Sequence, residues 1–520
     1  MFFFRFFLFL IVSTLCWAKS ATYVTYNPTS STIQPSDAIV TAVTTNFNDN
    51  NQAMALMKIK KNDTDAYAIQ MASSDNGGET WQSEAPTFYS THEYVTSPLA
   101  INNEGYGFIL DSLFAYDDTC LNLELRGMYM FLSMSLDRSA TGTYSSLSAA
   151  MSDNSNKLIG SWVKEDEGVY TLFSIWGKGE QGIIFYDWVF GDNQLLLSSD
   201  TPITRVQCVL NDNDEAALIF IKDHLTYVMT STDAGHTWSL PQVISSSNAS
   251  YAQLTINNSG NLAAFWIVTG ESSQSIIVRT SSDKGTTWAE PLTISNPDEY
   301  VTNFMAYMNA NGQILLGYKY QLADLEQCVA SVCSLNAGNT FTLAQTLWVG
   351  GGTVGNVFID LNNINDLGQA FGAVSFSVGQ SLMASYTYNA GVLCAAPTAV
   401  ASNVQNNADL ALNNTGAMIV STINANNSFD TLTADLFTIN LNSTQTKLLL
   451  QRDIVSGFQG TTISYATKYN IYDNMTGKLL FSGDTLSADL HAQLANNQSY
   501  FVTWTNTFGE ESAPMEISIP

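Results

Sequence analysis

Short apolar runs alternate with Asn/Asp-rich turns throughout the first 440 residues. In one copy, the runs Ala252 to Ile256 and Leu262 to Val268 flank a turn that begins at Asn257. Such runs predict two β-strands joined by a tight hairpin, in which the fourth turn residue takes a positive φ. The eight copies begin at Asn48, Asn102, Ser152, Asn211, Asn257, Asn309, Asn365 and Asn413, with Asn51, Gly105, Ser155, Asp214, Gly260, Gly312, Gly368 and Gly416 as fourth residues.

A second motif, S-x-D-x-G-x-T-W, repeats at the same period. It occurs at 231–238 and 281–288, with looser copies at 74–81 and 334–341 and degenerate ones predicted at 135–137, near Ser174 and at 385–391. In such a turn the Ser hydroxyl and Asp carboxylate cap backbone N–H groups, Gly supplies the unusual φ, and Trp packs on the sheet. We therefore assign structural roles to Ser231, Asp233, Gly235, Trp238, Ser281, Asp283, Gly285 and Trp288, and expect the variable residues His236 and Lys284 to be solvated.

This motif resembles the Asp-box of the sialidase superfamily, which forms the turn between the third and fourth strands of a β-propeller blade. Within 251–295 the pattern predicts four strands, a to d, with the box between c and d. The predicted fold is therefore all-β, a multi-bladed propeller of eight blades, or of seven if one unit merges with a neighbour. A solenoid of β-arches is the alternative. Residues 21–27 are expected to close the ring by joining the last blade.

The spacing changes from about Leu441. The segment around Tyr469 to Tyr472, the alternation of Tyr500, Val502 and Trp504, and the segment 509–514 resemble the C, F and G strands of a fibronectin type III module. The predicted domains are a signal peptide at 1–20, an Asp-box propeller at 21–440 and a fibronectin type III-like β-sandwich at 441–520.

The amino terminus predicts export. An apolar run around Arg5 leads to Ala18-Lys19-Ser20, a small-x-small site typical of a secretory signal peptide. A lipoprotein signal at Cys16 is the weaker alternative, because Leu15 occupies a position where a small residue is expected. We expect a secreted or envelope-surface protein, monomeric and without a transmembrane segment. The net charge of −27 argues against nucleic acid as a partner.

Cysteine and histidine usage gives little support for disulfides or zinc. Five cysteines follow the signal peptide, and their odd number argues against a complete disulfide framework. The four histidines are scattered, without the spacing of zinc ligands. We therefore predict no cofactor, with Ca²⁺ held by carboxylates as an open alternative.

Propeller topology places the a–b and c–d turns at one face and the b–c and d–a loops at the other, where ligands usually bind in this superfamily. These loops are acidic, with aromatic residues between the charges. Either two carboxylates act as glycosidase acid and base, or the loops bind a ligand, or they form a solvated rim. The catalytic candidates are Asp117, Asp118, Glu165 and Asp166; the binding candidates are Arg205, Glu167, Asp298, Glu299 and Tyr300.

The arginines of true sialidases are mostly absent, which argues against sialidase activity. That family uses three arginines for the substrate carboxylate and an early Arg-Ile-Pro motif, yet no arginine lies between Arg5 and Arg126. Arg205, together with Arg126 as a weaker candidate, is expected near a central pocket, and lysine does not replace bidentate guanidinium recognition. Two functions stay open: a non-catalytic glycan- or protein-binding protein, which we favour, and a glycoside hydrolase of another specificity.

Overall fold

The computed structural model shows an all-β chain. It describes residues 20–33, 38–62, 66–83, 95–96, 99–115, 118–127, 130–139, 142–181, 186–246, 248–270, 273–296, 299–322, 326–350, 354–363, 370–378, 381–387, 394, 397–402, 404–413, 417–424, 428–440, 468–473, 479–483, 498–505 and 515–519. None of these residues is helical, and so none lies in a helix that could cross a membrane. The chain divides into two compact units, one spanning Thr25–Asp435 and the other including Leu436–Pro520.

Thirty-four strands, separated by turns and loops, lie among the described residues between Ser20 and Asn440. The first nineteen are β1 (Ser20–Ile33), β2 (Ala38–Phe47), β3 (Ala53–Lys61), β4 (Tyr67–Ser74), β5 (Gln82–Ser83), β6 (Val95–Thr96), β7 (Ala100–Ile101), β8 (Gly107–Ala115), β9 (Asp118–Gly127), β10 (Met130–Ser139), β11 (Thr143–Met151), β12 (Lys157–Asp166), β13 (Val169–Gln181), β14 (Tyr186–Phe190), β15 (Gln194–Ser199), β16 (Ile203–Leu210), β17 (Ala216–Lys222), β18 (Leu225–Ser231) and β19 (Gln242–Val243). The next fifteen are β20 (Ala249–Ile256), β21 (Leu262–Thr269), β22 (Gln274–Ser281), β23 (Leu292–Thr293), β24 (Tyr300–Met308), β25 (Ile314–Gln321), β26 (Gln327–Ser334), β27 (Gln345–Gly350), β28 (Val354–Asn363), β29 (Ala370–Val378), β30 (Ser381–Thr387), β31 (Thr398–Ser402), β32 (Val404–Leu412), β33 (Ala417–Asn424) and β34 (Phe429–Asn440).

Consecutive strands form antiparallel sheets of the predicted kind. We number the resulting repeats in chain order: repeat 1 (β2–β5), 2 (β6–β10), 3 (β11–β15), 4 (β16–β19), 5 (β20–β23), 6 (β24–β27), 7 (β28–β31) and 8 (β32–β34). Repeats 5 and 6 share one eight-stranded sheet, because Gln274 of β22 pairs in parallel with Tyr300 of β24. The four strands of repeat 5 fall where the sequence pattern placed them, with the box turn between β22 and β23.

The repeats pack side by side, and the last one returns to the first. The backbone N–H of Thr45 in β2 donates to Asp409 Oδ2 of β32 at 2.6 Å, and the hydroxyls of Thr45 and Ser421 are also 2.6 Å apart. In the sheet of repeat 8, β1 pairs with β34, at the edge opposite β32. Radially packed four-stranded sheets whose ends meet make a β-propeller.

Both faces of each second strand are covered by neighbouring repeats. In β21 the residues Leu262 to Ile267 are all buried, instead of alternating as in a half-exposed strand. Phe265 packs against β24 and β25 of repeat 6, whereas its neighbour Trp266 packs against repeat 4. This packing explains why the second strands appear in the sequence as continuous apolar runs.

In three a–b turns the first residue is an asparagine that both fastens its turn and bonds to the next repeat. Asn211 Oδ1 accepts the N–H groups of Asn213 and Glu215, both at 3.0 Å. Its Nδ2 donates to Asn257 O of repeat 5 at 2.8 Å. Equivalent bonds between repeats join Asn48 to Asn102 O, Asn102 to Asn156 Oδ1 and Asn413 to Asn48 O. The recurrence of asparagine thus reflects bridging between repeats as well as turn geometry.

Positive φ occurs at the predicted fourth position in five of the six described turns. Asn51, Gly105, Asp214, Gly260 and Gly312 have φ between 58° and 84°. In the turn of repeat 3 the prediction of Ser155 is wrong, because Ser152 pairs with Lys157 and the turn is one residue longer, which moves the positive φ to Asn156. Gly368 and Gly416 lie outside the described residues.

Four box turns share one set of hydrogen bonds. The Ser281 hydroxyl accepts the Gly285 N–H at 2.8 Å, and the Asp283 carboxylate accepts the Thr287 N–H at 2.9 Å and the Thr287 hydroxyl at 2.6 Å. These bonds stabilise the charged form and lower the Asp283 pKa to about 2. The Ser and Asx bonds recur in the turns that begin at Ser74, Ser231 and Ser334.

Two expectations about box turns are wrong. Residues 135–137 lie inside β10, at an irregularity in its pairing with β9, and Ser174 lies inside β13. Of the variable residues, His236 stacks on Trp176 with ring centroids 3.8 Å apart, and Lys284 is paired through Nζ with Glu215 Oε1 at 2.6 Å. Both residues are exposed, as expected, and each also connects its turn to the preceding repeat.

Side chains from the second turn positions make a chain across repeats 1 to 5. Asn103 Nδ2 lies 3.1 Å from Asp49 Oδ2 and from Asn154 Oδ1, and Asn154 and Asn258 both donate to Asp212. Asp153 lies among these turns. The residue is exposed overall, whereas the neighbouring turns enclose its carboxylate. Burial, followed by the charges of Asp212 and Asp49, raises the Asp153 pKa to about 7.

We expect the Asp153→Asn variant to be more stable than the wild type at pH 8 and to lose that advantage towards pH 4. Folding favours the protonated carboxyl, so its contribution is complete below the ordinary pKa of 3.8 and is lost as the pH rises through about 7. Because Asp153 is exposed, solvent screens the charges and reduces the effect. Thermal unfolding from pH 4 to pH 8 measures it, with the exposed Asp192→Asn as control. Parallel pH profiles for the wild type and Asp153→Asn would contradict the expectation.

The second unit contains β35 (Lys468–Asp473), β36 (Leu479–Gly483), β37 (Gln498–Thr505) and β38 (Met515–Ile519), in one antiparallel sheet ordered β36-β35-β37-β38. Ile471 and Tyr500 are buried. The described residues here make a single sheet, and the second sheet expected of a sandwich falls on residues outside the description.

Candidate functional site

The two ends of the propeller differ in the connections they carry. We call the end with the a–b and box turns the turn face, and the end with the b–c and d–a connections the loop face. In repeat 5 the turn face carries 257–261 and 281–288, while the loop face carries 270–273 and 294–299. The repeated motifs therefore mark the face opposite the candidate site.

A β-bulge interrupts seven of the inner strands near the loop face. The register shifts at Val40/Ala42, Ser145/Ser148, Thr204/Gln207, Ala249/Tyr251, Val301/Asn303, Val354/Val357 and Val404/Ala408. Bulges leave residues unpaired and turn their side chains away from the regular alternation, and they are frequent beside binding sites. Because these strands are innermost, the bulges form a ring around the channel mouth.

Four hydroxyl residues and one arginine occupy the bulges whose side chains are described. Thr41, Ser250, Thr302 and Arg205 are exposed, and Ser146 is half-buried. Ser146 and Arg205 also have positive φ, 51° and 55°, a conformation that costs a non-glycine residue energy. The bulges thus carry short hydroxyl groups and one exposed guanidinium, and the Thr41 and Thr302 hydroxyls donate to Lys58 O and Lys319 O at 3.3 and 3.4 Å.

Arg205 is held against an aromatic face. Its guanidinium lies 5.0 Å from the ring centroid of Tyr251 in the next repeat. Tyr251 in turn makes an edge-to-face contact with Phe304, with centroids 5.0 Å apart. Stacking on a ring leaves the N–H edge of a guanidinium available for hydrogen bonds. The sequence-based placement of Arg205 at the head of an inner strand agrees with this geometry, while its role in binding stays a prediction.

Among the catalytic candidates, Glu165 and Asp166 are consecutive residues of β12. Their side chains therefore point to opposite faces of the sheet, and the two do not form a facing pair. Glu165 Oε2 accepts the Thr143 hydroxyl at 3.4 Å. The binding candidate Glu167 is exposed and forms the b–c turn with Gly168, with φ values of 50° and 80°. Asp117 lies outside the described residues, and Asp118 is described only as the first residue of β9.

The d–a loop 294–299 and the first residue of β24 carry three binding candidates. Tyr300 is 41 % exposed, but Glu299 is only 5 % exposed and its carboxylate accepts bonds from Asn296 and Tyr318. Glu299 is thus turned into the protein. Asp298 lies outside the described residues.

Two other arginines lie away from the channel mouth. Arg279 braces a box turn, because its guanidinium donates to the carbonyls of Ala289, Ile244 and Trp288 at 2.6, 3.1 and 3.0 Å. Arg126 is the penultimate residue of β9, a third strand, at its turn-face end. The expectation that Arg126 faces a central pocket therefore does not hold.

Cys208, Cys328, Cys333 and Cys394 are free and buried. Burial raises the pKa of the Cys208, Cys333 and Cys394 thiols to about 11, which favours the inert protonated form. Among the residues with described positions, no three His, Cys, Asp or Glu side chains are grouped to hold a metal ion. Calcium binding by the undescribed loops stays a prediction.

The sequence motifs did not indicate the bulge ring. Strand bulges depend on the pairing register, which a single strand does not reveal. A positional signal nevertheless exists, because Thr41, Ser250 and Thr302 each lie seven residues before the first turn residue, and Ser146 and Arg205 each lie six before it. Aligning the repeats on the turn asparagine would have grouped these polar residues.

The fold defines an all-β protein whose successive sheets form a β-propeller. No protein-family model matches the sequence, and neither does any curated protein. Structural similarity does extend over most of the chain, and we report three matches.

A polysaccharide lyase, an ulvan lyase bound to -[GlcA(1-4)Rha3S]-, is 11% identical, with a TM-score of 0.42 and coverage of 77% of this chain and 95% of its own. An intramolecular trans-sialidase from Ruminococcus gnavus is 13% identical, with a TM-score of 0.33 and coverage of 76% and 94%. The Aleuria aurantia lectin, in complex with Fucalpha1-6GlcNAc, is 10% identical, with a TM-score of 0.33 and coverage of 59% and 94%. These similarities are too distant to assign an activity to this chain.

Proposed function

We propose that the chain is an exported, non-catalytic binding protein that holds a glycan at the loop-face mouth of its propeller. The observation that carries the proposal is the bulge ring, in which hydroxyl residues and the exposed Arg205 occupy equivalent positions in successive repeats. Sugar hydroxyls need many short polar partners in defined positions, which such a ring supplies. The alternative ligand to test at the same mouth is a protein.

The finer architecture belongs to the same proposal. We infer eight Asp-box blades, since the structure contains eight successive repeats of the predicted period. We further infer a signal peptide at 1–20, a propeller at 21–440 and a fibronectin type III-like module at 441–520. The order β36-β35-β37-β38 supports the last assignment, because it is the order of the C′, C, F and G strands in such modules.

We expect the Arg205→Ala variant to bind its glycan about ten- to a hundredfold more weakly, the range expected when hydrogen bonds to a charged group are lost. A glycan array with the wild type, followed by titration of the best-bound glycan, measures this change. Lys178→Ala is the matched control, since it removes an exposed positive charge from a strand end on the turn face. Equal binding by the wild type and Arg205→Ala would exclude Arg205 from the site.

The hydrolase alternative predicts turnover where the binding proposal predicts none. Purified protein incubated with aryl glycosides and polysaccharides decides between them. Turnover that Glu165→Gln abolishes would replace the binding proposal with a glycoside hydrolase. An empty glycan array together with an empty pull-down from host or envelope extract would remove the binding proposal itself.

A further inference from the structure

The d–a loop between repeats 5 and 6 is tied to both repeats. Its last residue, Tyr300, begins β24 and pairs in parallel with Gln274 at the start of β22. Within the described residues, this is the one place where backbone pairing joins two successive repeats into a single sheet. The loop end therefore has a fixed position on the loop face.

A buried carboxylate closes this loop. Glu299 Oε2 accepts the Asn296 N–H and the Tyr318 hydroxyl, both at 3.0 Å, and Oε1 accepts Asn296 Nδ2 at 2.7 Å. The Glu299 N–H donates back to Asn296 O at 3.2 Å. Burial, and next the nearby Glu299, raises the pKa of Tyr318, which keeps its hydroxyl protonated as a donor. Both carboxylate oxygens of Glu299 thus accept hydrogen bonds from the loop and from β25.

Exposure alternates sharply along the residues that follow Glu299. Tyr300 is exposed, Val301 is fully buried, and the bulge residue Thr302 is exposed again. Buried residues on both sides therefore hold the Tyr300 backbone while its ring faces solvent beside the bulge ring. Tyrosine offers a large, rigid contact surface at a low entropy cost, and fixing it in advance reduces the cost of binding.

We propose that Glu299 is a positioning residue that fixes Tyr300 as the aromatic surface on which a pyranose ring of the ligand packs. This proposal rests on glycan binding at the mouth and adds the kind of contact and the residue that orders it. Glu299 was a direct binding candidate from the sequence, and the structure gives it this indirect role instead. Tyr300 touches the sugar, and Glu299 acts only through it.

The first test needs no ligand. Hydrogen–deuterium exchange of the Asn296 and Glu299 amides should be about tenfold faster or more in Glu299→Gln, because a neutral amide replaces a charged acceptor of the Asn296 N–H. Glu290→Gln, an exposed glutamate on the turn face of repeat 5, should leave this exchange unchanged. Tyr318→Phe, which removes a single hydrogen bond, provides a milder variant if Glu299→Gln does not fold. Unchanged exchange in both variants would overturn the positioning role.

The second test measures retardation in gels that contain xylan, galactomannan or alginate. We expect Glu299→Gln and Tyr300→Ala each to weaken binding about tenfold, and the double variant to be no weaker than Tyr300→Ala, since residues acting through one contact are not additive. Additive losses in the double variant would overturn the proposal. A wild-type chain that no polysaccharide retards would count against glycan binding, while the exchange experiment still decides whether Glu299 orders Tyr300.

Discussion

Replacing Gly285 with alanine is expected to lower the free energy of unfolding by about 2–5 kcal/mol, the sum of left-handed strain and overpacking. Gly285 has φ of 84°, and an added Cβ would lie 2.5 Å from Thr230 Cγ2 and 3.2 Å from Leu262 Cδ1. The neighbouring atoms belong to repeat 4 and to β21, so the turn cannot move without loosening the contact between repeats. Chemical denaturation measures the loss.

Gly168→Ala provides the matched control for strain alone. Gly168 has φ of 80°, but nothing lies within 4 Å of the position of an added Cβ. We expect this variant to lose only about 1–2 kcal/mol, the cost of the left-handed conformation. Equal losses at the two positions would show that packing around the box turn contributes nothing measurable.

Asn211→Ala is expected to destabilise the protein by about 2–4 kcal/mol, because it leaves several buried polar groups without partners. The side chain accepts two backbone N–H groups and donates to Asn257 O and, at 2.7 Å, to Glu215 Oε2. The second control position is Asn213, which is exposed and sits in the same turn. Asn213→Ala should cost well under half as much in the same denaturation experiment. A loss at Asn211 no larger than at Asn213 would contradict the bridging role.

The repeat architecture could be predicted because its signals are local. Turn asparagines, glycines at positive φ and continuous apolar second strands are each fixed within a few residues of the chain. The prediction failed where one repeat departs from the rest, as at Ser155, where one extra residue lengthens the turn. It failed again around Ser174, where β13 runs unbroken for 13 residues.

The candidate site was harder to predict because it depends on contacts between repeats. Arg205 could be placed from its position before an inner strand. The burial of Glu299 could not be predicted in the same way, since its partner Tyr318 comes from the next strand, and a glutamate in a polar loop looks solvated in the sequence. The hydroxyl residues of the bulge ring are individually ordinary, and only the strand register shows that they share a position.

The bond between Thr45 and Asp409 spans 364 positions of the chain. Contacts of such long range form late, because the entropy of closing the chain must be lost before they form. The side of repeat 1 that contacts repeat 8 therefore stays uncovered until the whole propeller has been synthesised. Until then β2 and β3 expose apolar surface that can bind other chains. Closure of the ring therefore competes kinetically with aggregation.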